Sequence, residues 1–158
     1  MLHNKFISRV AVLSAFFLTT AFAAPETPIG YWKTIDDVTG KPKSVVQIWE
    51  TSDNTLMGKV IRIFPSPGKT EGELCTACKG ENLNQPIVGM VILSGLQRQE
   101  EHWKSGKILD PENGKTYNCS LRVANSGNQL DVRGYIGLPL LGRSQVWQRV
   151  DIMDDNKG

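Results

Sequence analysis

The feature that most constrains this chain is one it lacks. Beyond residue 24 no stretch keeps its apolar residues at helical spacing. Instead, short runs rich in β-branched and aromatic residues alternate with turn-forming residues. The runs are Ile29–Ile35, Lys43–Glu50, Thr55–Phe64, Ile87–Leu93, His102–Leu109, Lys115–Val123, Gln129–Ile136 and Arg143–Val150. Between them lie Asp36 to Pro42 with Gly40, Ser52-Asp53-Asn54, Asp110 to Gly114, Asn125 to Asn128, and Gly137 to Gly142. Short strands at near-regular spacing predict an all-β sandwich or barrel. Eight strands joined mostly by hairpin-length turns favour an up-and-down antiparallel meander closed into a barrel, because closure removes unpaired edges.

Strand faces support this. Leu130, Val132, Gly134 and Ile136 share one face of the seventh run, opposite Asp131, Arg133 and Tyr135. Tyr117, Cys119, Leu121 and Val123 share one face of the sixth, opposite Thr116, Asn118, Ser120 and Arg122. Alternation of this kind belongs to a sheet buried on one side. Gly134 in mid-strand predicts a bulge or bend.

The N-terminus sets the redox context. Lys5 and Arg9 precede a short apolar run from Val10 to Leu18, and Ala21-Phe22-Ala23 follows. This pattern reads as a secretory leader over 1–23, cleaved after Ala23. The apolar run is too short to span roughly 30 Å of hydrocarbon as an anchor. A single domain over 24–150 and a polar tail over 151–158 remain, and no transmembrane anchor is expected in the mature form. The whole chain holds 18 basic and 16 acidic side chains. Lys5 and Arg9 leave with the leader, so the mature domain is formally neutral. It has neither the basic stripe of a nucleic-acid binder nor a polybasic membrane patch. A leader of this type directs the domain to the periplasm.

One connection departs from hairpin length. Between Phe64 and Pro86 lie 21 polar, Gly- and Pro-rich residues, with Cys75-x-x-Cys78 in their middle. A loop that long in a compact domain is functional or is held down. Covalent haem attachment needs a histidine after the second cysteine, and Lys79 stands there. A structural zinc needs four ligands; Cys75, Cys78, Cys119 and His102 suffice only if two different strands converge under the loop. A thioredoxin-like centre places its thiol at a helix N-terminus, whereas Lys79-Gly80-Glu81-Asn82 is poor helix material. The favoured reading is a local Cys75–Cys78 disulfide that shapes the loop, formed in an oxidising compartment. Cys119, among apolar neighbours, is either a buried free thiol or an alternative partner.

A longer string of residues resembles a known family. It runs from Gly30-Tyr31-Trp32-Lys33-Thr34-Ile35-Asp36 through Leu56-Met57-Gly58-Lys59-Val60 and the Cys75-x-x-Cys78 loop. It continues with Ile108-Leu109-Asp110-Pro111 and Val132-Arg133-Gly134-Tyr135-Ile136-Gly137, and ends with Gly142-Arg143-Ser144-Gln145-x-Trp147-x-Arg149. In this order they resemble the secreted bacterial family called domain of unknown function 2147. The resemblance implies a small periplasmic domain with a lipocalin-like barrel and no established activity. Gly30-x-Trp32 on the first strand is also similar to the lipocalin pattern in which a tryptophan closes the barrel floor under a basic residue. That likeness implies structural roles for Trp32 and for Arg149 or Arg143.

Catalytic chemistry finds little support. His102 is the sole histidine outside the leader, and its neighbours form no motif. The carboxylates Asp110 and Glu112 fit a hairpin turn. No phosphate loop, zinc-protease or serine-hydrolase motif occurs, so no enzyme and no cofactor or metal is expected. The leading expectation is a barrel that binds a small hydrophobic or amphipathic ligand, since eight strands can enclose one. Trp49, Trp103 and Tyr135 are the aromatic candidates to line its site, and Arg133 or Arg143 to orient an acid group. The alternative is a barrel filled by its own side chains that works through contacts with another envelope protein. A thiol or metal role for Cys75 and Cys78 ranks third.

Overall fold

The computed structural model describes residues 26–152 except Lys69 and Glu71. The expected leader, and the expected tail beyond Ile152, lie outside the described residues. Eight antiparallel strands form one closed barrel, each paired to its neighbours in sequence and the last to the first. They are β1 (Gly30–Ile35), β2 (Pro42–Glu50), β3 (Thr55–Ile63), β4 (Val91–Gln99), β5 (His102–Asp110), β6 (Lys115–Ala124), β7 (Gln129–Tyr135) and β8 (Arg143–Val150). This is the meander predicted from the spacing of the apolar runs, and one disulfide, Cys75–Cys78, sits in its long loop.

The fourth strand differs most from its expected position. Ile87–Met90 lie in the loop: Pro86 bridges Leu74, the Ile87 amide donates to the Glu73 carbonyl at 2.9 Å, and Gly89 turns the chain at φ +94°. The strand then continues through Ser94-Gly95 to Gln99, beyond Leu93 where the apolar run ends. Gly95 adopts φ +68° within it, and β3 absorbs the irregularity by shifting register between Leu56 and Lys59. A second shift falls between Trp103 and Gly106 of β5, where Ser105 has φ +64°. None falls at Gly134, whose pairings with Cys119 and Arg143 are regular. β7 ends at Tyr135, so Ile136 leaves the barrel face and is 67% exposed.

The barrel has a closed and an open end. At the closed end, Trp32 is fully buried and donates its indole N–H to the Pro28 carbonyl at 2.7 Å. The Arg149 guanidinium lies 4.2 Å from the Trp32 ring centroid. It also donates to the carbonyls of Thr27, Ile29 and Gly127. Burial holds the Arg149 pKa below the ordinary guanidinium value, and the ring face and three carbonyls compensate a cation placed there. Gly30 makes this approach feasible. It has φ +133°, and a methyl group on it would stand 2.7 Å from the guanidinium. The Gly-x-Trp pattern thus has a local physical cause: the glycine clears room for the cation that covers the tryptophan.

Above this floor the inner face is packed. Ile48, Leu93, Leu96, Leu121, Leu130 and Trp147 are all buried to within 2%. Gly58 and Gly106 lie beside Leu93 and Leu96 of the intervening strand; a methyl on Gly106 would lie 2.3 Å from Leu96 Cγ. Cys119 belongs to this layer as a free thiol, its pKa pushed up to about 12 by burial. Full burial of side chains this large contributes roughly 1.5–3 kcal/mol each.

Candidate functional site

The open end is built by three connections: Asp36–Lys41, the long cysteine loop, and Ile136–Gly142, with the tight Asp110–Lys115 turn between them. The cysteine loop leans onto that turn. Cys75 Sγ lies 3.3 Å from the Pro111 carbonyl oxygen. The Ala77 carbonyl packs so closely on Gly114 that a methyl there would come within 1.8 Å of it. Gly114 has φ +66°, and the turn is tied by Asp110, whose backbone carbonyl accepts from the Gly114 amide and whose carboxylate accepts from the Glu112 amide. Glu112 pairs with Lys43 of β2 at 2.7 Å.

The disulfide itself faces inward. Cys75 and Cys78 are 0% and 3% exposed and join Ile87, Met90 and Ile63 in one cluster with the barrel core. The loop backbone is knitted around them: the Cys75 amide donates to Gln85 and the Asn84 amide to Cys75. The loop is therefore a cap whose apolar underside continues the core. Among the described residues no group of three or more His, Cys, Asp or Glu side chains is placed to hold a metal ion.

Beside the cap, the inner wall changes character. Descending the inner face of β8, Arg143, Gln145 and Trp147 follow one another opposite Gly134, Val132 and Leu130. Trp147 is buried, Gln145 half-buried and Arg143 exposed. The Trp147 indole donates to Gln145 Oε1 at 3.2 Å. Gln145 Nε2 donates to Asp37 Oδ2 at 2.9 Å, and Arg143 forms an ion pair with the same oxygen. Across the mouth, half-buried Ile108 and Tyr117 pair with each other on β5 and β6. The Tyr117 hydroxyl accepts from Asn113 Nδ2 at 3.1 Å. Gly134 lies between these walls, its missing side chain bounded by Ile108 and Tyr117 only at ordinary contact distance, 3.6–4.0 Å. On the β1–β2 side Thr34 Oγ1 and Ser44 Oγ share a 2.8 Å hydrogen bond. The result is a ring of half-buried apolar, aromatic and polar side chains around the mouth, a candidate cup with one guanidinium held by a carboxylate.

The residues singled out in sequence are scattered by this register. Arg143 stands at the lip of the cup. Trp103 faces inward but near the closed end, where Arg98 lies 5.5 Å from its ring centroid. Trp49 is on the outer face, paired with Met57 and approached by Lys59 at 5.8 Å. Arg133 and Tyr135 also face out, and Arg133 donates to the Pro139 and Leu140 carbonyls and to Ser144 Oγ. Asp37, Gln145 and Tyr117 complete the cup; strand alternation puts Tyr117 on the inner face, but no sequence feature singles out any of the three as a site residue. Arg143 and Asp37 are 106 residues apart, so only closure of β8 onto β1 brings them together. A shallow depression of about 370 Å³ at the closed end is lined by Gly30, Tyr31 and Arg149 among others; its guanidinium is already committed to the floor, and no ligand is placed there.

A family model described as an uncharacterized protein conserved in bacteria, DUF2147, matches residues 30–149. Among solved structures the chain is similar to protein HP1028 from Helicobacter pylori, described as belonging to the lipocalin family. The TM-score is 0.68 at 20% identity, over 81% of this chain and 86% of that one. At that identity the likeness shows the fold. Among curated protein sequences none is similar to this chain.

Proposed function

The chain belongs to the DUF2147 family of bacterial proteins, and from that premise we propose that it is an exported, non-catalytic barrel that holds a small amphipathic molecule in the cup at its open end. The observation that carries this reading is the gradient along the inner wall. Side chains at the closed end are fully buried, whereas Ile108, Tyr117 and Gln145 near the mouth, beside the cysteine cap, are half-exposed. A pocket of this type, with apolar walls and a few convergent polar groups, is the usual form of a small-molecule site. Arg143 would orient an acid group by exchanging the Asp37 carboxylate for that of the ligand. The lipocalin-like barrel supports the reading by analogy of fold alone. The leader pattern over 1–23 supports export to the periplasm, where a Cys75–Cys78 disulfide persists.

A second reading rests on Leu93 and Leu96, which fill the middle of the barrel against Gly58 and Gly106. On that reading the interior is solid, and the outer surface contacts another envelope protein. Titration with the amphipathic anion 1-anilinonaphthalene-8-sulfonate separates the two. Saturable one-to-one binding, at least tenfold weaker in Gly134→Trp (which fills the cup) and in Arg143→Ala, supports the cup. Binding that is absent, or indifferent to both substitutions, abandons it.

A further inference from the structure

The described residues include eleven large hydrophobic side chains that are exposed, and they are not evenly spread. Val38, Leu74, Leu83, Val88, Val91, Ile136, Leu138, Leu140 and Leu141 all belong to the open end; only Ile29 and Val146 lie elsewhere. The densest group is Ile136-Gly137-Leu138-Pro139-Leu140-Leu141-Gly142, seven residues without a charge. Its leucines are 68%, 86% and 77% exposed, and Val38, on the neighbouring connection, is 93% exposed. Single exposed hydrophobics need no explanation, but a contiguous apolar group marks an interaction site.

The segment is braced in this posture. Pro139–Leu141 form a 3-10 turn, with the Leu141 amide donating to Leu138 and the Gly142 amide to Pro139. Arg133 reaches up from the outer face of β7 and binds the Pro139 and Leu140 carbonyls at 2.8 and 3.2 Å. Its third contact, to Ser144 Oγ at 2.7 Å, fixes the far side. These bonds hold the backbone so that the leucines point away from the barrel.

We propose that this rim docks the open end of the barrel onto a lipid bilayer surface, with Leu138, Leu140 and Leu141 inserted among the acyl chains. Two observations favour lipid over a protein partner. The apolar side chains are borne on separate connections at one end of the barrel. They are all aliphatic, whereas the energetic centres of protein interfaces are enriched in Trp, Tyr and Arg and poor in Leu and Val. Charge then indicates which lipid. The described charges at this end are of both signs, Lys41, Lys43, Lys79, Lys115 and Arg143 against Asp36, Asp37, Glu73, Glu81, Asp110 and Glu112. With no excess of positive charge, docking depends on apolar area and not on attraction to anionic headgroups, the other contribution to interfacial binding. The inference holds whether or not the cup takes a ligand.

The test is co-sedimentation of the mature protein with phosphatidylcholine vesicles, at low and at 0.5 M salt, for the natural sequence, Leu140→Glu/Leu141→Glu, and Val146→Glu as a control on the barrel side. The expected result is saturable partition that is indifferent to salt, at least tenfold weaker in the double variant and unchanged in the control. Matching far-UV circular dichroism and melting curves exclude unfolding, because both leucines are exposed. No partition at millimolar lipid overturns the proposal, as does binding that requires anionic lipid and vanishes in salt. A concentration-dependent dimer in light scattering that the double variant abolishes would also overturn it, by assigning the rim to a second copy of the chain.

Discussion

Substituting Gly114 by alanine tests whether the cysteine loop is seated as a cap or merely lies nearby. Two costs arise at this position. The first is conformational: φ +66° is a left-handed backbone, which costs a non-glycine residue about 1–2 kcal/mol. The second is steric: the new methyl would stand 1.8 Å from the Ala77 carbonyl oxygen and 2.9 Å from the Cys78 amide nitrogen, both backbone atoms. The cap must then lift, loosening Cys75, Cys78, Ile87 and Met90 from the core. Overpacking of this kind costs about 1–3 kcal/mol, so the total is about 2–5 kcal/mol. Gly40 supplies an internal reference. It has nearly the same φ, +68°, and open space where the methyl would go, so Gly40→Ala meets the first cost alone. Urea denaturation of the two variants, with the disulfide intact, isolates the steric part as their difference. A second readout is the rate at which a phosphine reductant opens the disulfide under native conditions. It should rise at least tenfold in Gly114→Ala and stay unchanged in Gly40→Ala. Equal stability losses and equal reduction rates in the two variants would refute the seated cap.

Other substitutions probe the floor, the core and the titrating groups. Gly30→Ala should lower stability by about 2–4 kcal/mol, because the methyl displaces Arg149 and adds strain at a positive φ; differential scanning calorimetry and a change in Trp32 emission check it. Gly106→Ala should cost about 1–3 kcal/mol by overpacking against Leu96, and Leu96→Val in the same chain should recover part of it in a double-mutant cycle. The Cys119 thiol has its folded pKa raised to about 12 from an ordinary 9.0. The unfolded chain therefore releases that proton first, and stability falls between pH 9 and 12 by about 1.4 kcal/mol per unit. Cys119→Ala should flatten that part of the pH–stability curve; an unchanged slope would show that the thiol is not the group responsible. For Asp131, burial raises the pKa, but hydrogen bonds from Gln129 and Arg122 outweigh it and hold the carboxyl below its ordinary value. Its contribution is present above about pH 4 and lost as the pH falls through the folded pKa. Asp131→Asn should therefore reduce the acid dependence seen in denaturation midpoints below that pH.

How far the fold could be read in advance depended on how local each signal was. Leu130 and Val132 alternate with polar neighbours over two or three residues, so the strand and its inner face follow from β7 alone, and the barrel class from eight such runs in series. Seven of the eight runs overlap their strands nearly end to end for that reason. β4 did not, because Gly89 and Gly95 carry the same one-letter signal but opposite meanings, one ending a loop and the other kinking a strand. Cys75 and Cys78 are three residues apart and pair as expected. The cup was hardest to read. Arg133 and Arg143 look alike in sequence, yet they differ in which way a strand faces at its rim. That parity is set by where β7 ends and β8 begins around the Ile136–Gly142 turn. Asp37 and Gln145 become neighbours of Arg143 only through closure between the first and last strands, and no window of sequence contains that contact.

Closure of that kind also sets an order of events in time. Ile29 and Arg149, hydrogen-bonded at 3.0 Å, are 120 residues apart, and Tyr31, Trp32 and Lys33 of the first strand find their second partner only in Gln148, Arg149 and Val150. A chain released from its N-terminus onward can make every hairpin from β1–β2 to β6–β7 as it emerges. It cannot seal the barrel until its last strand is free. Contacts so distant in sequence are slow to form, so the nascent domain passes through a stage with β1 and β7 as bare edges and Trp32 uncovered. The cysteine ring, by contrast, closes over three residues and needs none of this. Oxidation of Cys75 and Cys78 can therefore precede sealing, while truncation within β8 leaves an open sheet prone to edge-to-edge association.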